Sequence, residues 1–210
     1  MTRQPSLLRG LMLLSFCTTA GLLIQAQPIT TDTHRFTEIR NGIYLAQTTD
    51  PVFNSNSLVI VNDKDVVLVD SHVTPAKARE LIAAVATLTS NPITALINSH
   101  HHWDHAHGNQ EFSDIPIIGH EFTYMKLAAS PLDEPTYTRG LAGNDARLRQ
   151  LRDQIVSTTD EAERNRLQTD LELFAAHVQD FEEITPIPPT VTMKTRMTLY
   201  RGRRKFRSCS

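Results

Sequence analysis

The sequence predicts a layered α/β fold, and three observations carry that reading. A strand, a helix and a second strand follow one another between Val66 and Ile97. Both strands are unbroken apolar runs, and the composition is that of an ordinary globular chain, with 40% hydrophobic and 21% charged residues in 210. A strand, helix, strand order brings two parallel strands together through a crossover and covers the sheet with a helix. This length is enough for one large or two small domains with a real core. Eleven prolines beside eight glycines, with no repeats and no low-complexity tracts, exclude collagen, coiled-coil rods and disorder.

Taken in order, Met1 to Ala26 carries Arg3 and Arg9, no acid, and an apolar run from Leu11 to Ile24. This pattern predicts a secretory signal peptide cleaved near Ala26. Its core of about fourteen residues falls short of the roughly twenty that a membrane-spanning helix needs, so no stable membrane anchor is expected. The expected location is periplasmic or secreted, and residues 27–210 form the mature domain. Cleavage leaves Cys209 as the single cysteine, so no intramolecular disulfide is available and stability must come from packing or from a bound metal.

Phe36–Ile39 and Ile43–Ala46 flank Arg40-Asn41-Gly42, and an Asn-Gly pair between apolar runs predicts a β-hairpin. Ser57–Val61 and Val66–Val69, joined by Asn62-Asp63-Lys64-Asp65, predict two buried strands, with Asp70 at the mouth of the second. Thr74-Pro75 places a capping residue before a proline suited to the first helical position, so a helix runs through Ala76–Leu88. Ile93–Ile97 is the next buried strand, and Pro116–Gly119 a short one ending at His120. Leu148, Leu151 and Ile155 mark one helical face, and Leu167, Leu171, Phe174, Val178 and Phe181 another. These predict two packed helices, with Thr158 and Glu161 as a capping box between them. Pro186, Pro188 and Pro189 end the second helix, and Val191–Met193 and Met197–Tyr200 return to strand.

Charge is uneven along the chain. Residues 27–183 hold 12 Lys and Arg against 23 Asp and Glu, whereas residues 184–210 hold seven basic residues and no acid. An acidic body of that size repels nucleic acid, and no recognition motif accompanies the basic end, so no nucleic-acid partner is expected.

Ser99-His100-His101-His102-Trp103-Asp104-His105 is the one stretch with the density of a chemical site. Histidines at i and i+2 point two imidazoles to one side of an extended loop. An aspartate two residues on, followed at once by another histidine, can face a second ion. Nitrogen-rich ligation with one carboxylate suits Zn²⁺ well and Fe²⁺ acceptably. The loop follows a buried strand, where α/β sheets carry their sites. His101 and Trp103 alternate with the candidate ligands and are read as packing or pocket wall. His72 and His120 each follow a strand end, as pocket-lining candidates or as satisfied loop histidines. His177, between Phe174 and Val178, is read as structural.

At these residues the chain resembles the metallo-β-lactamase fold superfamily, whose His-x-His-x-Asp-His signature is matched by His100, His102, Asp104 and His105. Val66–Asp70 is similar to the superfamily's strand ending in a structural aspartate, and Gly108-Asn109 follows the motif as in many members. The Ser99–His105 stretch, the signal peptide and a helical insertion at about 141–183 resemble the periplasmic branch associated with quinoprotein systems. The resemblance implies an αββα sandwich with a metal centre at its edge, and a metal-bound hydroxide acting on a carbonyl or ester of a small-molecule substrate. It implies His100 and His102 on a first metal, and Asp104 and His105 on a second. Asp104 would also orient water or return a proton, and Asp70 would fix the motif loop from behind. One or two Zn²⁺ ions are implied, with Fe²⁺ as the alternative in a mono-iron redox or sulfur-oxygenating member.

The family completes its site with a histidine in a Gly-His-Thr-like loop, a bridging aspartate and a final histidine, and none of these is in the sequence. The resemblance covers about Phe36 to Tyr200, the N-terminal half of the fold plus the insertion. Arg203–Ser210 does not read as a buried strand. The sequence therefore carries two further expectations: a truncated or frame-shifted product with an incomplete metal site and little turnover, and an apolar sheet face left exposed. It does not indicate an oligomeric state.

Overall fold

The computed structural model describes residues 27–202 and 204–209. The expected signal peptide, Met1–Ala26, lies outside the described residues. One eight-stranded sheet organises the chain, with its strands in sequence order. Strands β1 (Ile29–Thr30), β2 (His34–Arg40), β3 (Ile43–Thr48), β4 (Asn56–Val61) and β5 (Val66–Val69) pair antiparallel. From β5 onward the pairing is parallel, through β6 (Ile93–Ile97), β7 (Ile117–His120) and β8 (Val191–Met193). The expected hairpin is present, and Gly42 closes it with φ +69°, a left-handed conformation that glycine adopts without steric cost.

Helix α1 (Pro75–Leu88) makes the β5 to β6 crossover, and Thr74 caps it by accepting from Lys77 N. Its Ala78, Leu81, Ala84 and Val85 pack with Phe36, Ala46, Val59, Val66, Leu68, Leu96 and Ile117, one face of the sheet. The alternate residues Ile60, Val67, Ala95 and Ile118 point to the other face. Runs such as Val66–Val69 are continuously apolar because both faces are covered.

That second face is not bare. Strands β9 (Arg196–Arg201) and β10 (Arg204–Cys209) form an antiparallel two-stranded sheet, and Met197, Leu199 and Phe206 pack against Val67, Ala95 and their neighbours. The sequence reading gave no strand after Tyr200; β10 is one, half-buried at Arg204 and Phe206 and exposed at Lys205. Phe206, set among Arg204, Lys205 and Arg207, makes its apolar contact, so the local sequence carries little of the pattern that marks a strand. Helix, eight-stranded sheet and second sheet give a mixed α/β architecture consistent with a metallo-β-lactamase sandwich.

Between β7 and β8 the chain forms α3 (Glu121–Ala128), which the sequence reading did not foresee, and then α4 (Pro135–Ser157) and α5 (Glu161–Gln179). The helical pair starts at Pro135, earlier than expected, because Glu134 caps α4 by accepting from Thr136 N and Tyr137 N. The cap of α5 is Asp160, which accepts from Ala162 N and Glu163 N, and not Thr158. The shorter Asx reach wins over the Thr158 and Glu161 pairing. Tyr137, Phe181 and Ile184 seat this helical region on Val73, Phe53 and Trp103, beside the histidine motif. No helix among the described residues is long and apolar enough to cross a membrane.

Candidate metal centre

Strand β6 ends at Ile97, and the chain then lifts off the sheet edge as an extended loop before a one-turn helix, α2 (Trp103–Ala106). The loop brings the imidazoles together. Ring centroids of His100 and His105 are 4.2 Å apart, and those of His100 and His102 are 4.8 Å apart. Asp104 Oδ2 lies 3.4 Å from His105 Nε2. All four side chains are half-buried at the mouth of the sheet.

Asp70 organises this cluster from behind. Its Oδ2 lies 2.9 Å from His105 Nδ1 and accepts from Ser99 Oγ at 2.7 Å, while Oδ1 accepts from Ser99 N at 2.7 Å. Ser99 Oγ is in turn 2.9 Å from His100 Nδ1. Since the Ser99 hydroxyl proton goes to Asp70, its oxygen accepts from His100 Nδ1–H. A carboxylate facing His105 Nδ1 keeps the proton there too. Both rings are therefore held in the tautomer whose Nε2 lone pair is free, the arrangement that presents histidine to a metal.

Asp70, His100 and His105 have ligand atoms within 4.8 Å of one another. That set differs from the expected His100, His102, Asp104 and His105. His102 meets His100 edge to face and also lies edge-on to His101, at 4.7 Å. Asp70 is buried, and its oxygens already accept from Ser99 and face His105 Nδ1, so it anchors the motif loop. The hydrogen bond to Asp70 raises the pKa of His105 above the usual imidazole value, whereas burial and then the neighbouring His105 lower that of His100. Imidazole nitrogens with a nearby carboxylate fit Zn²⁺, and Fe²⁺ less closely.

The remaining histidines point elsewhere. His72, expected as a pocket candidate, is 0% exposed and faces His34, with Nε2 to Nε2 at 3.2 Å. His120 caps α3: its Nδ1 accepts from Phe122 N and its Nε2 lies 2.6 Å from the Lys194 carbonyl oxygen, so neither nitrogen is left for a ligand. Trp103 packs on Phe53, Tyr137 and Phe181. His101 meets Phe122 edge-on, His107 lies against Tyr137, and His177 stacks on Phe53.

Supporting residues to which the sequence reading gave no individual role are Ser71, Asn98, Ser99 and Asn109. Ser71 N donates to His105 O at 2.8 Å, and Ser71 Oγ donates to Asn109 Oδ1 at 2.8 Å. Asn109 exchanges two hydrogen bonds with Asn98 and donates to Ile187 O. Gly108 lies so close to the Ser71 carbonyl that a Cβ would overlap it. Short polar residues at strand ends were the available signal.

Residues 50–190 match the family model described as the metallo-beta-lactamase superfamily. The chain belongs to the metallo-beta-lactamase superfamily. Two solved superfamily structures are similar to it in part. A metallo beta lactamase from Erythrobacter litoralis, with beta mercaptoethanol in its active site, shares 20% identity over 48% of this chain and 47% of that one, at a TM-score of 0.43. The metallo-beta-lactamase FIM-1 from Pseudomonas aeruginosa, in its mono-zinc form, shares 18% identity over 45% of each chain, at a TM-score of 0.41. The matches span about half the length of these metallo-beta-lactamases. No curated protein sequence matches.

Proposed function

We propose that this chain is part of an exported metal-dependent hydrolase that acts on a carbonyl or ester of a small molecule. The observation that carries this reading is the Asp70 network, which ties Nδ1 of His100 through Ser99 and Nδ1 of His105 directly, leaving the Nε2 of each ring free of that network, with His105 Nε2 3.4 Å from Asp104 Oδ2. His100 and His102 would hold one ion, and Asp104 and His105 a second. A bound Zn²⁺ would supply Lewis acidity and lower the pKa of a water ligand to about 7. Around it, His100 and His105 keep fixed orientations, and Asp104 offers a carboxylate oxygen that can orient water or carry a proton to a leaving group. Trp103 and the helical pair shield one side of the motif from solvent.

A second reading, a chain that binds metal without turnover, is favoured by one observation. Among the described residues no further histidine points at the cluster, and catalytic zinc sites normally use three protein ligands.

The test is to purify the chain, load it with Zn²⁺ or Fe²⁺, and compare hydrolysis of a chromogenic ester and a chromogenic β-lactam with that of H100A and H105A. Metal retention with turnover lost in both variants supports the hydrolase. Retention with no turnover supports the second reading, and equal turnover in all three proteins sinks the metal reading altogether. Metal analysis separates zinc from iron.

A further inference from the structure

We propose that His34, on strand β2 and far from the histidine motif in sequence, is a positioning residue for the metal centre, acting through His72 on the loop that carries Asp70. The inference rests on the metal reading above and adds a residue to it.

The loop Asp70-Ser71-His72 is strained. Asp70 has φ +68° and His72 φ +70°, the only non-glycine residues in the left-handed region among those described. Such conformations persist only where the surroundings over-determine them. Ser57 Oγ donates to Asp70 O at 2.9 Å, and His72 O accepts from Gly108 N at 3.2 Å, next to the motif. The His72 side chain meets His34 Nε2 at 3.2 Å and, more distantly, Ser57 Oγ at 3.4 Å, and both rings are fully buried.

The proton order across this pair follows from its neighbours. Ser57 commits its hydroxyl proton to Asp70 O, so toward His72 Nε2, 3.4 Å away, it can only accept. His72 Nε2 therefore carries the hydrogen, shared between Ser57 Oγ and His34 Nε2 at 3.2 Å. His34 Nε2 is then the acceptor, and His34 Nδ1–H donates to Thr33 Oγ1 at 2.9 Å. His72 Nδ1 has no partner, so its Nε2–H contacts are all that orient the ring. Removing the His34 acceptor leaves a buried donor underused on a residue already held at positive φ. Relaxation of His72 moves Asp70, and with it the anchors of His100 and His105.

The experiment is a Co²⁺ titration of the full chain against a chelator, read by the ligand-field absorption of the bound ion, with thermal melting of the metal-free proteins as control. Outer-shell partners of metal ligands are worth about 10–100-fold in affinity. H34L should weaken Co²⁺ binding at least about 10-fold and change the absorption band. H34Q, whose amide oxygen can stand where Nε2 was and accept from His72, should stay within about threefold of the parent. T33V, which removes the acceptor for His34 Nδ1–H without touching the core, should weaken binding by about fivefold. It serves as the reading if H34L does not fold. H34L binding with the parent's affinity and band overturns the inference, as does T33V doing so where H34L is insoluble. Equal loss in H34L and H34Q also overturns it, because the role would then be packing alone. A parent chain that takes up no Co²⁺ overturns the metal reading and this inference together.

Discussion

Asp70 Oδ2 stands 2.9 Å from Nδ1 of His105, thirty-five positions on, and the same oxygen accepts from Ser99, which holds His100. One buried carboxylate thus sets the tautomers of two imidazoles. Its own backbone sits at φ +68°, a conformation that the β5 to α1 loop must hold against its intrinsic preference.

If Asp70 is the anchor, D70N should reduce Zn²⁺ affinity by about 10–100-fold while leaving the sheet intact. Chelator competition measures the affinity. The His105 pKa, raised first of all by its hydrogen bond to Asp70, should fall toward the ordinary imidazole value in the metal-free variant, as followed by NMR. An unchanged affinity would remove Asp70 from the site.

The buried histidines make the fold acid-sensitive. Burial pushes His34 and His107 down to about 4 and His72 to about 3, whereas the same rings in the unfolded chain take up protons near 6.5. The unfolded state therefore binds more protons below about 6.5, and stability falls as pH drops toward 4. Each ring contributes a slope of up to about 1.4 kcal/mol per pH unit. His105 has the opposite sign, stabilising in acid and losing that contribution as pH rises through its raised pKa. Urea midpoints measured from pH 7.5 to 5 should decline, and H107F should flatten the decline. A midpoint independent of pH over this range would contradict the burial of these rings.

Two glycines should respond oppositely. At Gly108 an added methyl would overlap Ser71 O and lie 2.7 Å from Ala78 Cβ, so G108A should destabilise by about 3 kcal/mol or abolish soluble expression. At Gly143, inside α4, nothing lies within 4 Å, and G143A should stabilise by about 0.5–1 kcal/mol. Denaturant unfolding distinguishes them, and a tolerated G108A would refute the close approach of the motif to the β5 to α1 loop.

The cap of α5 can be checked in the same way. D160A removes an acceptor from two backbone amides and should cost about 1 kcal/mol, more than T158A, whose hydroxyl accepts from Asp160 N only. The reverse order would restore Thr158 as the cap.

The sequence by itself determined strands β2 to β9, helix α1 and the motif, since each rests on local order: the Asn41-Gly42 turn, the Thr74-Pro75 start, the continuous run Val66–Val69, and ligand types at fixed spacing through His105. It determined the superfamily for the same reason. The tertiary structure alone decided what stands behind the motif. His34 meets His72, Ser99 links Asp70 to His100, and Asn109 joins Asn98 to Ile187, pairings across long separations that no periodicity encodes. It also decided that His120 is spent on capping and that Phe206 covers a sheet face. A side chain's type states which hydrogen bonds it can make. Which partner it meets depends on where distant backbone is brought by packing, and buried polar groups must then find their partners among whatever the fold places beside them.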